Sequence, residues 1–376
     1  MKFSIEKDQI LNKIQFINSI VPIRNPLPIL TNILLEADEE KNIIRLSSTD
    51  LEVTAVSEIE CQVKEGGKTA IPAKNITEII RYMPEDEIRF SVKENKCRIK
   101  CLNTDFSLIC ANPEDFPEIP ERNWESSFTI NAKLFSKIVE KTSFAVSDQF
   151  GRPAFSGILW ELDEHLQKMV ATDGKRLGKY EIQLPLNIEK RSIIMPIKGL
   201  NLVRRIITDE IPDLRILAEE SAISFDYNSY KIYSRLIEAN YPDYEAVIPY
   251  DNSKIVEIDL ESLKNAVHRV SLLASEDTFT VMLNFSKNQL KISSEDVEKG
   301  SADEILEIGA ESTKIENFQI GFNYKYLLEI LNLIDSEKVQ IKFENSLDPV
   351  LFYNTEYPEN EENIFLLMPL RLSENI

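Results

Sequence analysis

Three aspartates recur at a constant interval. Asp50 sits in Leu46-Ser-Ser-Thr-Asp-Leu-Glu52, Asp173 in Ala171-Thr-Asp-Gly174 and Asp296 in Ile292-Ser-Ser-Glu-Asp-Val297, each 123 residues from the next. Brought together, three carboxylates could hold a divalent metal for phosphoryl chemistry. Their neighbours argue for a different use. An Asp between two strand-like runs is turn chemistry: its carboxylate bonds nearby backbone N–H groups, and after Asp173, Gly174 accepts positive φ. Equivalent points of three repeats should also lie far apart, so they build no common site. His165 and His268 are the only histidines, and neither belongs to a base–nucleophile pattern. Gly67-Lys-Thr69 imitates the end of a P-loop, but Gln62 stands where the first glycine is required, and Pro72 follows. Cys61, Cys97, Cys101 and Cys110 all lie in the first third and lack the paired knuckles of a zinc site. Cys97 and Cys101, four apart in a strand-like segment, share one face and read as core thiols. The expectation is a protein without catalytic residues, metal or cofactor.

The elements that position these residues repeat as well. Apolar residues at helical spacing fill 6–18, 131–147 and 259–274, each after a short strand-like start. Asn131 and Asp259 are of N-cap type. Alternating runs follow at 30–36 with 43–63, 155–162 with 168–184, and 279–285 with 289–308. A second helix is expected at 73–83, 197–207 and 323–334, then three short strands. Pro-rich polar joints lie at 112–121 and 240–250, where Phe116-Pro117 and Tyr241-Pro242 are 125 apart. The expected fold is α+β: three tandem domains, 1–122, 123–250 and 251–376, each of two strand–helix–strands units. Ten glycines in 376 residues disfavour a nucleotide-binding fold. No apolar run reaches the ~18 residues of a membrane span, and the charged start is no signal peptide, so a soluble, cytoplasmic protein is expected.

A formal net charge of −20 disfavours a polyanion partner at first sight. Its distribution reverses the inference. The six helical segments carry 13 Lys and Arg against 7 Asp and Glu, a net +6, which leaves −26 for the remainder. If these helices share one face, that face suits phosphates contacted without regard to sequence. No base-reading module accompanies it.

The order and spacing of further motifs supply a resemblance. They are Leu27-Pro-Ile-Leu30, Thr49-Asp-Leu-Glu52, Ile71-Pro-Ala-Lys74, Asp115-Phe-Pro117, Ala171-Thr-Asp-Gly-Lys-Arg-Leu177, Met195-Pro196 with Lys198-Gly199, Tyr241-Pro-Asp-Tyr244 and Met368-Pro-Leu-Arg-Leu372. End to end, the chain resembles the bacterial DNA polymerase III β subunit family, the replicative sliding clamps.

The resemblance implies a DNA-clamp fold: a head-to-tail homodimeric ring of six similar domains, helices inside and antiparallel sheets outside. Double-stranded DNA would pass through it without sequence specificity. Its implied partners are the DNA polymerase III catalytic subunit, a clamp loader, and other DNA polymerases and mismatch-repair proteins carrying clamp-binding peptides; no membrane is implied. DNA-facing positions carried over are Arg24, Lys74, Arg81, Gln149, Arg152, Lys198 and Arg205. A partner-peptide pocket falls on Phe155, Thr172, Gly174, Lys175, Arg176, Leu177, Pro242, Val247, Pro349, Leu366, Leu367, Met368, Pro369, Leu370 and Arg371. Phe106, Leu272 and Leu273 fall at the dimer interface. This sequence departs from the family at Pro153-Ala154, where two aromatics are common, at Lys175 and Ala246, and in the extension Ser373–Ile376. A protein-binding scaffold without a DNA role is the competing class; it needs the pocket but no basic helices.

Overall fold

Six α-helices form among the described residues, which are 1–147, 151–286, 288–308 and 318–371 of a computed structural model. They are α1 (Lys7–Asn18), α2 (Ala73–Tyr82), α3 (Ala132–Ser143), α4 (Ile197–Ile206), α5 (Leu260–Ser271) and α6 (Tyr324–Leu331). Each is amphipathic for the expected reason. In α2, Ala73, Ile76, Thr77 and Ile80 are buried on one stripe, while Lys74, Glu78 and Arg81 face outward. Side chains cap three of the helices: Asp259 accepts from Ser262 N at 2.8 Å, Asn323 from Lys325 N and Asn131 from Leu134 N, both at 3.0 Å.

The chain divides into two compact units, Met1–Leu134 with Lys198–Leu236, and Phe135–Ile197 with Ile237–Ile376. The middle third of the sequence is thus shared between them. The cause is sheet pairing. In the first unit an eight-stranded antiparallel sheet runs Phe128–Asn131, Asp213–Ala218, Ala222–Tyr227, Tyr230–Arg235, Val53–Glu60, Ile43–Thr49, Asn32–Asp38, Gly67–Pro72. Its seam joins Tyr230↔Ser57 through Ser234↔Val53, residues of different repeats. A five-stranded sheet completes the unit and ends at the edge strand Thr104–Ile109.

The second unit repeats the plan. Arg191–Pro196, Gly157–Leu162, Leu166–Thr172 and Arg176–Gln183 continue into Glu361–Leu367, Val350–Asn354, Lys338–Phe343 and Lys254–Asp259. Its seam runs from Arg176↔Leu367 to Ile182↔Glu361. A four-stranded sheet ends at the edge strand Gly300–Glu307. Under α5 and α6 the core holds Leu263, Val267, Leu327 and Ile330 against Phe285, Phe343, Phe352 and Phe365. Ring stacking at 4.6 Å between Phe318 and Phe343 adds about 0.5–1.5 kcal/mol beyond area burial.

The three aspartates all serve turns. Asp50 accepts from the N–H groups of Glu52 and Val53, Asp173 from Lys175 and Arg176, and Asp296 from Glu298 and Lys299. Two helix cations counted toward the basic face prove structural instead. Lys7 (7% exposed) donates to the Met83 carbonyl at 2.7 Å, just past α2, and pairs with Glu85. Lys141 (5% exposed) donates to the Leu333 carbonyl, just past α6, and pairs with Asp335 at 2.5 Å. Each supplies a cation to the negative end of a neighbouring helix, which leaves the net +6 overstated as surface charge.

Candidate functional site

In the second unit, the turn Thr172–Lys175 sets the geometry of a socket. Thr172 Oγ1 accepts from Gly174 N at 3.1 Å and donates to the Arg176 carbonyl at 2.8 Å, while Gly174 adopts φ 85°. A Cβ at that φ would be strained, which is why Gly is needed. The strand leaving this turn pairs Leu177 with Leu366. Both are buried and belong to an apolar cluster with Ala154, Leu159, Val170, Ile194, Tyr244, Ile248 and Leu351. Phe155 and Tyr241, half-buried, close one side with an edge-to-face contact at 6.2 Å. Burial pushes the Tyr241 phenol well above its ordinary pKa. A cavity of about 590 Å³ opens against this cluster, lined by Leu159, Ile194, Tyr241, Pro242 and Tyr244 together with the charged Glu161, Lys168, Asp243 and Glu245.

At the rim, the strand Glu361–Leu367 stops before Pro369, and Met368 is 37% exposed. Met368 N donates to the Lys175 carbonyl at 2.8 Å, and Leu370 N donates to the Gly321 carbonyl at 2.8 Å, so the tail is fixed beside the turn. Pro369 and Leu370 are half-buried, Arg371 exposed. Val247 (54% exposed) stands on the 3-10 turn Glu245–Val247, after exposed Pro242. Asn252 Nδ2 holds the Pro349 carbonyl at 3.2 Å.

Two expected pocket residues point elsewhere. Side chains alternate across a strand, so Arg176 and Leu367 take the face opposite Leu177 and Leu366. Leu367 lies in the core beneath α5 and α6. The Arg176 guanidinium stacks over Tyr326 at 4.2 Å and Phe144 at 5.6 Å and is neutralised by Asp173 and Glu329. Conversely, Arg152, expected to face DNA, has its guanidinium 5.5 Å from the Phe155 ring centroid, at the socket's edge. Sequence reasoning missed Tyr241, Tyr244, Ile248 and Leu351 as socket residues; only the Tyr241-Pro-Asp-Tyr244 motif hinted at them.

In the first unit, α2 exposes Lys74 and Arg81, and α4 exposes Lys198 and Arg205, each pair seven residues apart on one helical face. Arg24 is exposed in the loop after α1. Among the described residues Arg24, Lys74 and Arg205 form no ion pair, although the Arg205 guanidinium lies 5.9 Å from the Phe16 ring centroid. Arg81 is 3.9 Å from Glu78, and Lys198 pairs with Asp50. Gln149 lies outside the described residues. Phe106 is 42% exposed on the edge strand Thr104–Ile109. In the second unit Leu272, just past α5, is 69% exposed, and Leu273 is half-buried.

Comparison with known proteins finds three family descriptions in order along the chain. They are the DNA polymerase III beta subunit N-terminal domain at residues 1–120, central domain at 129–243 and C-terminal domain at 245–371. The beta sliding clamp of Haemophilus influenzae is 30% identical over 99% of this chain and 100% of its own length. That of Escherichia coli K12 is also 30% identical, with the same coverage of both chains. Among solved structures, the DNA polymerase III subunit beta of Pseudomonas aeruginosa matches with a TM-score of 0.91 at 28% identity. A sliding clamp of Bartonella birtlesii bound to griselimycin matches at 0.92 and 27%. Both alignments cover 99% of this chain and all of the other.

Proposed function

The chain belongs to the DNA polymerase III beta subunit family, and from that premise we propose that it is a processivity factor, a clamp that encircles duplex DNA and tethers the replicative polymerase. The full-length correspondence with sliding clamps of known structure carries this reading. Three clamp domains, 1–122, 123–250 and 251–376, would make up each protomer, and two protomers would close head to tail with the helices inward. Two sheet edges suit that closure. Among the described residues, the strands Thr104–Ile109 and Gly300–Glu307 are each paired on one side, and they expose Phe106, Ile109 (59%) and Ile305 (55%).

Inside the ring, the exposed cations Arg24, Lys74, Arg81, Lys198 and Arg205 would meet phosphates, with no base contacts. Several helix cations are already matched by carboxylates, as Lys133 is by Asp209 and Arg269 by Glu304. Attraction to DNA is therefore modest, and retention comes from encirclement rather than affinity. A weak, uniform potential along the duplex also leaves few sticking points for sliding. The apolar socket would take a short linear peptide from the polymerase, from repair proteins or from a loader that opens the ring, all competing for one site. The protein would catalyse no step itself, and its place of work would be the cytoplasm; among the described residues no helix is long and apolar enough to cross a membrane.

The test is topological. Loaded by its cognate loader onto a nicked circular plasmid, the protein should stay through gel filtration and leave when a restriction enzyme linearises the circle. A protein-binding scaffold would show no dependence on DNA ends, and that outcome would replace the proposal.

A further inference from the structure

We infer that the first unit holds a second docking groove, one that takes a linear peptide carrying Lys or Arg beside an apolar anchor. The groove lies on the sheet face turned away from α1. Ser48 donates to the Ile17 carbonyl of α1 at 2.8 Å, so its neighbour Ser47 points to the opposite face, where Leu34 and Val56 flank it across the sheet. Leu34 and Val56 line a cavity of about 620 Å³, bordered by the Pro-rich segment after Ala111 and walled by Tyr233 and Trp124. That volume suits a ligand cleft.

The internal repeat makes this cavity the counterpart of the one beside the socket. Glu36 faces Arg45 as Glu161 faces Lys168, and Phe116-Pro117 stands where Tyr241-Pro242 does. The floors differ. Ser47 occupies the place of Val170; it is fully buried, and its hydroxyl has no hydrogen-bond partner among the described residues. A polar group of a peptide seated between Leu34 and Val56 would relieve that cost.

Charge decides what fits. The cations of this cavity are engaged: Arg45 pairs with Glu58 at 2.9 Å, Lys68 with Glu114 at 3.1 Å and Arg122 with Glu219 at 3.3 Å, and Lys231 stands opposite Asp226. Glu118 and Glu121 line it too, are exposed, and form no ion pair among the described residues. A second hollow of about 650 Å³ shares Glu36, Arg45, Lys68 and Glu121 with the first and adds Glu39 and Glu40, likewise exposed and without an ion pair. The rim is therefore acidic above an apolar and aromatic floor. A basic side chain beside a seated anchor meets complementary charge there, while an acidic one is repelled.

Tryptophan emission of the full chain reads this groove directly. Trp124 and Trp160 are the only tryptophans, and Trp160 is fully buried in the second unit. Three acetylated, amidated peptides serve as probes: Arg-Lys-Ile-Phe-Lys, Gln-Gln-Ile-Phe-Gln and Glu-Glu-Ile-Phe-Glu. The basic peptide should change the emission saturably with a Kd about fivefold below that of the Gln peptide, and the Glu peptide should bind most weakly. The ratio should fall toward one on raising salt from about 50 to about 500 mM, and in Glu118→Gln combined with Glu121→Gln. Equal affinity for the basic and Gln peptides would overturn the inference. A ratio that survives Glu39→Gln, Glu40→Gln, Glu118→Gln and Glu121→Gln together would overturn the assigned residues. No saturable change with any peptide, or a change that persists in Trp124→Phe, would remove the groove itself.

Discussion

Gly178 offers a sharp test of how the socket strand is held. It lies in Arg176–Gln183, one residue after Leu177 and against α3. A Cβ placed there would stand 2.6 Å from Phe144 Cε1, 2.8 Å from the Lys141 carbonyl oxygen and 3.2 Å from Thr142 Cα. Comfortable carbon contacts begin near about 3.5 Å, so Gly178→Ala forces α3 outward by on the order of 0.5–1 Å. The Phe144 ring can rotate away, but the two backbone atoms cannot. Overpacking costs about 1–3 kcal/mol, and backbone obstruction puts this site at the upper end. Loss of chain freedom in the unfolded state returns about 0.4–1 kcal/mol. The net is about 2 kcal/mol of destabilisation, which lowers Tm by roughly 4–8 °C for a unit of this size. Scanning calorimetry measures it directly. Ala55, at the same offset from Asp50, is fully buried and shows that the fold accepts a methyl where the neighbouring helix permits it. A Gly178→Ala protein melting within about 1 °C of the parent, or above it, would refute the packing argument.

Further outcomes follow from the same geometry. Leu177→Ala with Met368→Ala should weaken capture of a peptide ending in an aliphatic–aromatic anchor at least tenfold from a low-micromolar Kd of roughly −8 kcal/mol, measured by polarisation. Phe106→Asp, at an exposed edge position, should leave Tm within about 2 °C of the parent. The same change should shift the protein toward monomer in sedimentation velocity. Lys141→Met should cost about 1–2 kcal/mol in denaturant unfolding, because it takes the hydrogen bond from the Leu333 carbonyl, while the exposed Asp335 stays solvated; a loss below about 0.5 kcal/mol would contradict its capping role.

What was legible in the sequence follows the range of the signal. The six helices and the Asp turns are local patterns, written within a dozen residues, and they form at the expected positions. The sheet seams were not legible. Arg176 pairs with Leu367 across 191 residues, and neither segment differs in composition from a strand that pairs locally. The facing of Arg176 and Leu367 was available from strand alternation, but a contiguous motif invites one to treat every member as part of the site. Lys7 and Lys141 misled in another way. A lysine on a helix reads as solvated charge until the end of a second helix arrives beneath it. Arg152 shows the reverse, a residue three before Phe155 whose place at the socket depends on a loop that no periodicity describes.

The seam between Tyr230–Arg235 and Val53–Glu60 bears on how the chain responds to cutting. A protease that nicks the Pro-rich joint at 112–121 breaks the covalent thread but not the hydrogen-bonded splice beside it. The two fragments should travel as one particle under native conditions and separate only in denaturant. Two repeats stitched in this way have little freedom to flex at the linker that joins them.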